Sequence, residues 1–370
     1  MSDPNYFERD ALRRQCKVAV AGHAEPSPGE ELISVGEWCR VHGHAPDRYA
    51  EGDLISAFEA RIAALLGMEA AAFMVSGTMA QQIALRIHAD RSGAPSFAMH
   101  PTAHLELHEL RAYSRVQRLD ATLLGPRERP ILASDLAACS DRLSAIVIEL
   151  PAREIGGQLP SFDQLGELAA LARKRAIKVH LDGARLWEAR EAYAPRTYVD
   201  ISALFDSVYV SFYKGIGAMA GALLLGNAEF VSEARAWRKR MGGTLVQMHP
   251  YVASAAMRFD AQLAKMPAYR TRALALSEAL AAVPGIRLLP SPPQVNMFHI
   301  HFPAAADALA AARDRLAREE GIWFASRFGA SQVPGWSYLE LYVGDNLMAL
   351  PDSLVAGLAA RLLTIAQQES

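Results

Sequence analysis

Lys214 stands just past an apolar strand-like run in VSFYKGIGAMAGALLLG, with Gly215, Gly217 and Gly221 close behind it. An amine in that place faces the edge where ligands gather in sheets of parallel strands, and the glycines let backbone close on a bulky ring; a solvated surface lysine is the alternative. Asp182, in IKVHLDGARL, also ends an apolar run and is followed directly by Gly183. A carboxylate there suits the ring nitrogen of pyridoxal 5'-phosphate (PLP), whose protonated ring takes up the electrons released when a bond at a substrate's alpha carbon breaks. A turn or N-cap aspartate would use the same Asp-Gly pair.

Ser76-Gly77-Thr78 opens a stretch in which Met79, Ile83 and Ile87 recur every four residues. Hydroxyls and unpaired backbone N–H groups then collect at a helix start, an anion site that suits a cofactor phosphate, although a plain N-cap has the same composition. His100, His104 and His108 follow at helical spacing, with Glu109 behind them. Two histidines at i and i+4 could share a cation, but no H-E-x-x-H or downstream ligand set accompanies them. The PLP reading needs one histidine, stacked on the pyridine ring.

The elements that must position these residues follow from periodicity. Leu54, Ile55, Phe58, Ile62, Leu65 and Leu66 are spaced as one face of a helix, with Asp53 expected at its N-cap and Gly67 at its end. From there apolar runs (AAAFMV, LSAIVIEL, IKVHLD, DSVYVSF, AGALLLG) alternate with amphipathic stretches. This predicts an α/β fold with a mostly parallel sheet covered on both faces. A long Ala-rich helical region is expected from Met248 towards Val283, with Pro284-Gly285 breaking it before a smaller α+β part built from QVNMFHIHF, ADALAAARDRLAREEG, GIWFAS, SYLELYV and a closing helix. The expected organisation is an irregular arm over 1–46, a large domain over 47–256 and a small C-terminal domain over 257–370.

The 370 residues exceed the length at which a single core stops growing. Lys and Arg (38) nearly balance Asp and Glu (40), so no broad field is available to draw nucleic acid or an anionic membrane. A small molecule is the expected partner. No uninterrupted apolar run is long enough to span a bilayer, and charges break up the N-terminal stretch, so a cytoplasmic location is expected. Cys16, Cys39 and Cys139 are odd in number and widely spaced, which argues against a disulfide framework or a structural zinc.

Together, SGTMA at Ser76 to Ala80, His104 followed five residues later by Glu109, HLDGARL at His180 to Leu186 and KGIGAMAG around Lys214 resemble the threonine aldolase and beta-eliminating lyase family. The resemblance runs from about Asp53 to Ala256. It implies a fold type I PLP enzyme with a seven-stranded type of sheet. Lys214 would carry the cofactor as a Schiff base, Asp182 would pair with the ring nitrogen, His104 would stack on the ring, and Ser76, Gly77 and Thr78 would hold the phosphate. Ser211 joins the cofactor-binding set, and Arg185 would lie beside the substrate carboxylate. The implied substrate is a beta-hydroxy amino acid, cleaved to glycine and an aldehyde; beta-elimination, transamination or a non-catalytic PLP-fold binding role are the alternatives. A homodimer or homotetramer is the implied assembly, with Lys239 of the basic stretch Arg235 to Arg240 near the neighbouring subunit's phosphate.

Several positions depart from the family pattern. An E-N-T-H-N segment before a Gly-Gly pair becomes ELPAREIGG, which keeps Glu149 and places Ala152 where a histidine stands near the substrate hydroxyl. Arg153, Glu154 and Arg327 are the candidates to fill the vacated polar positions. A strand arginine of the substrate clamp aligns with Glu340, and an arginine before Gln247 is Val246.

Overall fold

A computed structural model describes residues 6–24 and 26–368, so the opening MSDPN of the charged N-terminal stretch lies outside the described residues. By spatial clustering the chain forms two units: one holds residues 26–265, and the other joins the N-terminal residues up to 24 to those from 266 onwards. The first strand, β1 (Val18–Ala19), belongs to the second of these.

The larger unit contains β2 (Ala70–Met74), β3 (Ser96–Met99), β4 (Asp120–Leu123), β5 (Ala145–Glu149), β6 (Lys178–Gly183), β7 (Ser207–Ser211) and β8 (Ala222–Gly226). They form one seven-stranded sheet in the order β2-β8-β7-β6-β5-β3-β4. Every pairing from β4 through β7 is parallel, whereas β8 runs antiparallel to both β7 and β2. Two reversals restore direction, so β2, β3, β5, β6 and β7 all point their carboxyl ends to one edge. Their residues are almost wholly buried, as expected of a sheet covered on both faces. The Gly77–Ser92 helix packs Ala80, Ile83, Ala84 and Ile87 against Ala72 and Met74 of β2 and Leu224 of β8.

Several local expectations change. The helix after the N-terminal arm spans Asp53–Leu66 with Gly52, not Asp53, in the capping place; a Cβ at Gly52 would lie 2.8 Å from the Cβ of Asp47, so this approach admits only glycine. The arm itself carries a full helix, Pro28–His42, begun by a capping box between Ser27 and Glu30. The Ala-rich region after Met248 is two helices, His249–Leu263 and Met266–Ala281. Pro267 cannot donate to the carbonyl four residues back, so the first helix ends before it.

In the smaller unit β9 (Arg287–Leu289), β10 (Met297–Phe302), β12 (Gly329–Ala330) and β13 (Ser337–Tyr342) form an antiparallel sheet in the order β12-β13-β10-β9, and β11 (Ile322–Trp323) pairs with β1. The helices Ala306–Glu320 and Asp352–Gln368 complete it. No helix among the described residues is long and apolar enough to cross a membrane.

Candidate active site

The common edge of the parallel strands collects the residues singled out by type and spacing. Ser76 follows β2, His104 follows β3, Glu149 ends β5, Asp182 lies at the end of β6, and Lys214 comes three residues after β7. Glu149, Asp182 and Tyr209 are register partners across β5, β6 and β7, which aims their side chains to one face of the sheet.

Ser76 is extended, and its hydroxyl accepts from the Met79 N–H at 3.2 Å, capping the helix. A Cβ on Gly77 would meet the Tyr209 hydroxyl at 2.0 Å and that of Tyr213 at 2.7 Å. The helix start therefore sits directly against the residue before Lys214, a closeness that glycine alone permits. Tyr209 and Tyr213 join hydroxyls at 3.1 Å.

Asp182 is buried; its Oδ1 accepts from the Ala184 N–H at 3.1 Å and its Oδ2 from the Gln81 amide. Burial raises its pKa, opposed by the charges of Lys214 and His104. Glu149 is pushed up to about 8 by burial and by Asp182, so it holds a proton at neutral pH. One of its oxygens accepts from the His104 N–H at 2.6 Å, and the other is buried with no hydrogen-bond partner. Lys214 is lowered to about 8, first by burial and then by the charge of Arg185, with Arg153 adding to it and Asp182 opposing. Its amine is thus partly neutral near physiological pH.

The three histidines separate. His104 Nδ1 is 3.0 Å from Glu109 Oε1, and Gln82 donates to the other oxygen of Glu109, which fixes the imidazole. His100 is buried with its ring nitrogens on Thr102 and on the carbonyls of Pro126 and Arg129. His108 is exposed and meets Glu154 at 2.7 Å. They do not share one helix, which begins only at His104, three residues after the chain breaker Pro101. Ser211 donates to the Ala184 carbonyl at 2.7 Å and so ties β7 to the turn that carries Asp182 and Arg185. At the departure from the family pattern, Ala152 is buried, and Glu154 accepts from Arg153 at 2.9 Å as well as bonding His108.

Gln81, Tyr209 and Tyr213 also belong to this site, without a motif of their own in the sequence. Gln81 is a polar residue one helical turn inside a mostly apolar face. As a set these groups fit PLP. A helix start and Thr78 offer donors for a phosphate, Asp182 is a buried acceptor for a ring N–H, His104 is held by Glu109, Lys214 has a depressed pKa, and a buried orphan oxygen on Glu149 lies beside them.

Over residues 41–303 the sequence matches the family described as beta-eliminating lyase. Among curated relatives, the aldolase vrtJ of Penicillium aethiopicum is 33% identical over 58% of this chain and 56% of its own length, so the chain spans just over half of it. The probable low-specificity L-threonine aldolase 2 of Arabidopsis thaliana is 27% identical over 66% of this chain and 71% of its own. A solved structure of a putative L-allo-threonine aldolase from Listeria monocytogenes superposes with a TM-score of 0.87 at 36% identity, covering 97% of this chain and 98% of that one.

Proposed function

The chain belongs to the beta-eliminating lyase family, and from that premise we propose that it cleaves the alpha-beta carbon bond of a beta-hydroxy amino acid, releasing glycine and an aldehyde. Its cofactor is PLP. The observation that carries the reading is the pairing, on adjacent strand ends, of a lysine whose amine is lowered to about 8 with a buried carboxylate.

When bound, PLP supplies the electron sink for the pair released at the substrate's alpha carbon. The protein's share is orientation and proton handling. Asp182 would keep a negative charge where the ring nitrogen needs its proton, and Gly77, Thr78 and Ser76 would hold the phosphate at the helix start. His104, set by Glu109, would cover the ring. Arg185 would bind and orient the substrate carboxylate, and so set which alpha bond is broken. Lys214 would hold the cofactor through its amine, and the same amine is the group that would carry a proton at the alpha carbon. The direct test is to load the protein with PLP and follow glycine and aldehyde release from a panel of beta-hydroxy amino acids. No glycine from any member would overturn the proposal.

The amine's low pKa has its own consequence. Only neutral Lys214 can attack the cofactor aldehyde, so the rate of PLP incorporation into cofactor-free protein is expected to rise with pH and level off above about 8. Stopped-flow absorbance over pH 6 to 10.5 measures it. A rate still climbing as an ordinary lysine titrates would show that the site does not depress this group.

We also propose that the protein is cytoplasmic and acts as at least a homodimer. Arg48, Tyr49, Arg235, Arg238, Lys239 and Thr244 line a cavity of about 720 Å³ in the larger unit. Arg235 is spent on Glu59 and the Ala71 carbonyl, and Arg238 on that of Phe73, whereas Lys239 is exposed and suits the phosphate of a neighbouring subunit. Two-fold closure is the commonest symmetry for such assemblies. Sedimentation is expected to give at least twice 40.2 kDa, and a fully active monomer of that mass would refute the assembly.

A further inference from the structure

The Gly77–Ser92 helix buries three polar residues among Ala, Ile and Leu: Gln82, which bonds Glu109, and a pair seven apart, Gln81 and His88. Both are almost inaccessible. Two sheet residues that are register partners, His180 on β6 and Ser207 on β7, join them into one chain. His88 Nε2 lies 2.7 Å from Ser207 Oγ, and Ser207 Oγ lies 2.7 Å from His180 Nδ1. His180 Nε2 is 2.7 Å from Gln81 Oε1, and the Gln81 amide nitrogen bonds Asp182 Oδ2.

Chemistry fixes the direction of every link. A carboxylate only accepts, so Gln81 presents its NH2 to Asp182 and its oxygen to His180. His180 must then donate from Nε2. Burial pushes both histidines down to about 3, so each is neutral and carries one ring proton. With its proton on Nε2, His180 accepts at Nδ1 from the Ser207 hydroxyl, and Ser207 accepts in turn from His88 Nε2–H. Four donors therefore point one way, from His88 to Asp182. The other oxygen of Asp182 is held by the Ala184 N–H, so neither is left to rotate.

We infer that Gln81 is a positioning residue, aimed by His180, Ser207 and His88, which keeps Asp182 oriented towards the cofactor's ring nitrogen and in its charged form. The inference rests on the PLP reading of this site. A core that needed only to be filled would use apolar residues on this face, because each buried polar group costs stability unless it is satisfied. Here each of the four links is made, and the run of donors ends on the carboxylate that PLP chemistry requires.

The test uses full-length protein and Gln81→Met, which keeps the side-chain length and removes the donor. Hydrogen bonds to charged groups account for roughly 10- to 100-fold in an equilibrium constant. Gln81→Met is accordingly expected to weaken PLP binding about 10- to 100-fold. With PLP labelled by 15N in the ring, the resonance is expected to move from its protonated towards its unprotonated position, which a packing defect would not cause. If Gln81→Met yields no folded protein, Ser207→Ala cuts the chain two links earlier and is expected to shift both readouts the same way by a smaller amount. Wild-type affinity and an unmoved ring-nitrogen resonance in the variant would overturn the inference. Wild type that holds no PLP overturns the reading of the site and this inference with it; wild type that holds PLP beside unchanged variants overturns this inference alone.

Discussion

Lys214→Ala is expected to abolish the reducible cofactor adduct and to lower glycine release by at least about 10³-fold, because it removes covalent attachment and a proton carrier in one change. The wild-type protein should be yellow, and borohydride should fix PLP to Lys214 and to no other lysine. Lys178, on the same sheet, shows why position matters. It opens β6 rather than following a strand end, and its ammonium is tied to Asp206 at 2.7 Å. Lys214 has the opposite setting, a strand-end amine with Arg185 and burial driving off its proton and Asp182 close enough to oppose them. Peptide mapping after reduction identifies the modified residue. A Lys214→Ala protein that still forms a reducible adduct would remove the basis of the proposed mechanism.

The parts of this arrangement that sequence periodicity reaches are those fixed by local rules. Alternating apolar runs and amphipathic stretches give a parallel sheet, and Asp182 and Lys214 are legible because each follows an apolar run and precedes a glycine. Ser76 is legible as a cap. The Pro28–His42 helix carried its own signal in Ser27-Pro28-Gly29-Glu30, a capping box with proline at the first turn, but the surrounding Gly, Pro and His residues obscured it. The three histidines misled for a related reason. Four-residue spacing is a helix signal only where the backbone is free to be helical, and Pro101 sets His100 apart from the helix that starts at His104.

Other features depend on which strands become neighbours. Glu149 and Asp182 are 33 residues apart in sequence yet adjacent across β5 and β6, and that adjacency, with burial, keeps Glu149 protonated. The chain from His88 to Asp182 passes through three segments, none of which shows the others in its own pattern. Tertiary pairing creates both, so local propensity could not have disclosed them.

Threonine is expected to be a poor substrate within the proposed cleavage of beta-hydroxy amino acids. Breaking the alpha-beta bond requires a base to take the hydroxyl proton, and a positioned base contributes about 10² to 10⁴ in rate. Ala152 supplies none. It is buried and bridged to Gln158 by its backbone N–H at 2.9 Å, so the segment is held closed by backbone at the place where the family pattern has a histidine. The carboxylate nearest along the chain is Glu154, two residues on, whose Oε1 is shared between His108 at 2.7 Å and Arg153 at 2.9 Å. Its side chain is largely shielded from solvent. Glu154 is therefore the replacement base we propose, steadied by two partners. A small substrate such as threonine brings only a methyl group to offset imperfect placement, whereas a larger side chain adds binding energy that can be used for orientation. Glycine release is expected to be slow from L-threonine and L-allo-threonine and faster from phenylserine. Glu154→Gln, which keeps the shape and removes the charge, is expected to slow the best of them by about 10² or more. Rapid threonine cleavage that is indifferent to Glu154→Gln would mean that the proton leaves by a route requiring neither the missing histidine nor this carboxylate, and the argument from Ala152 would fail.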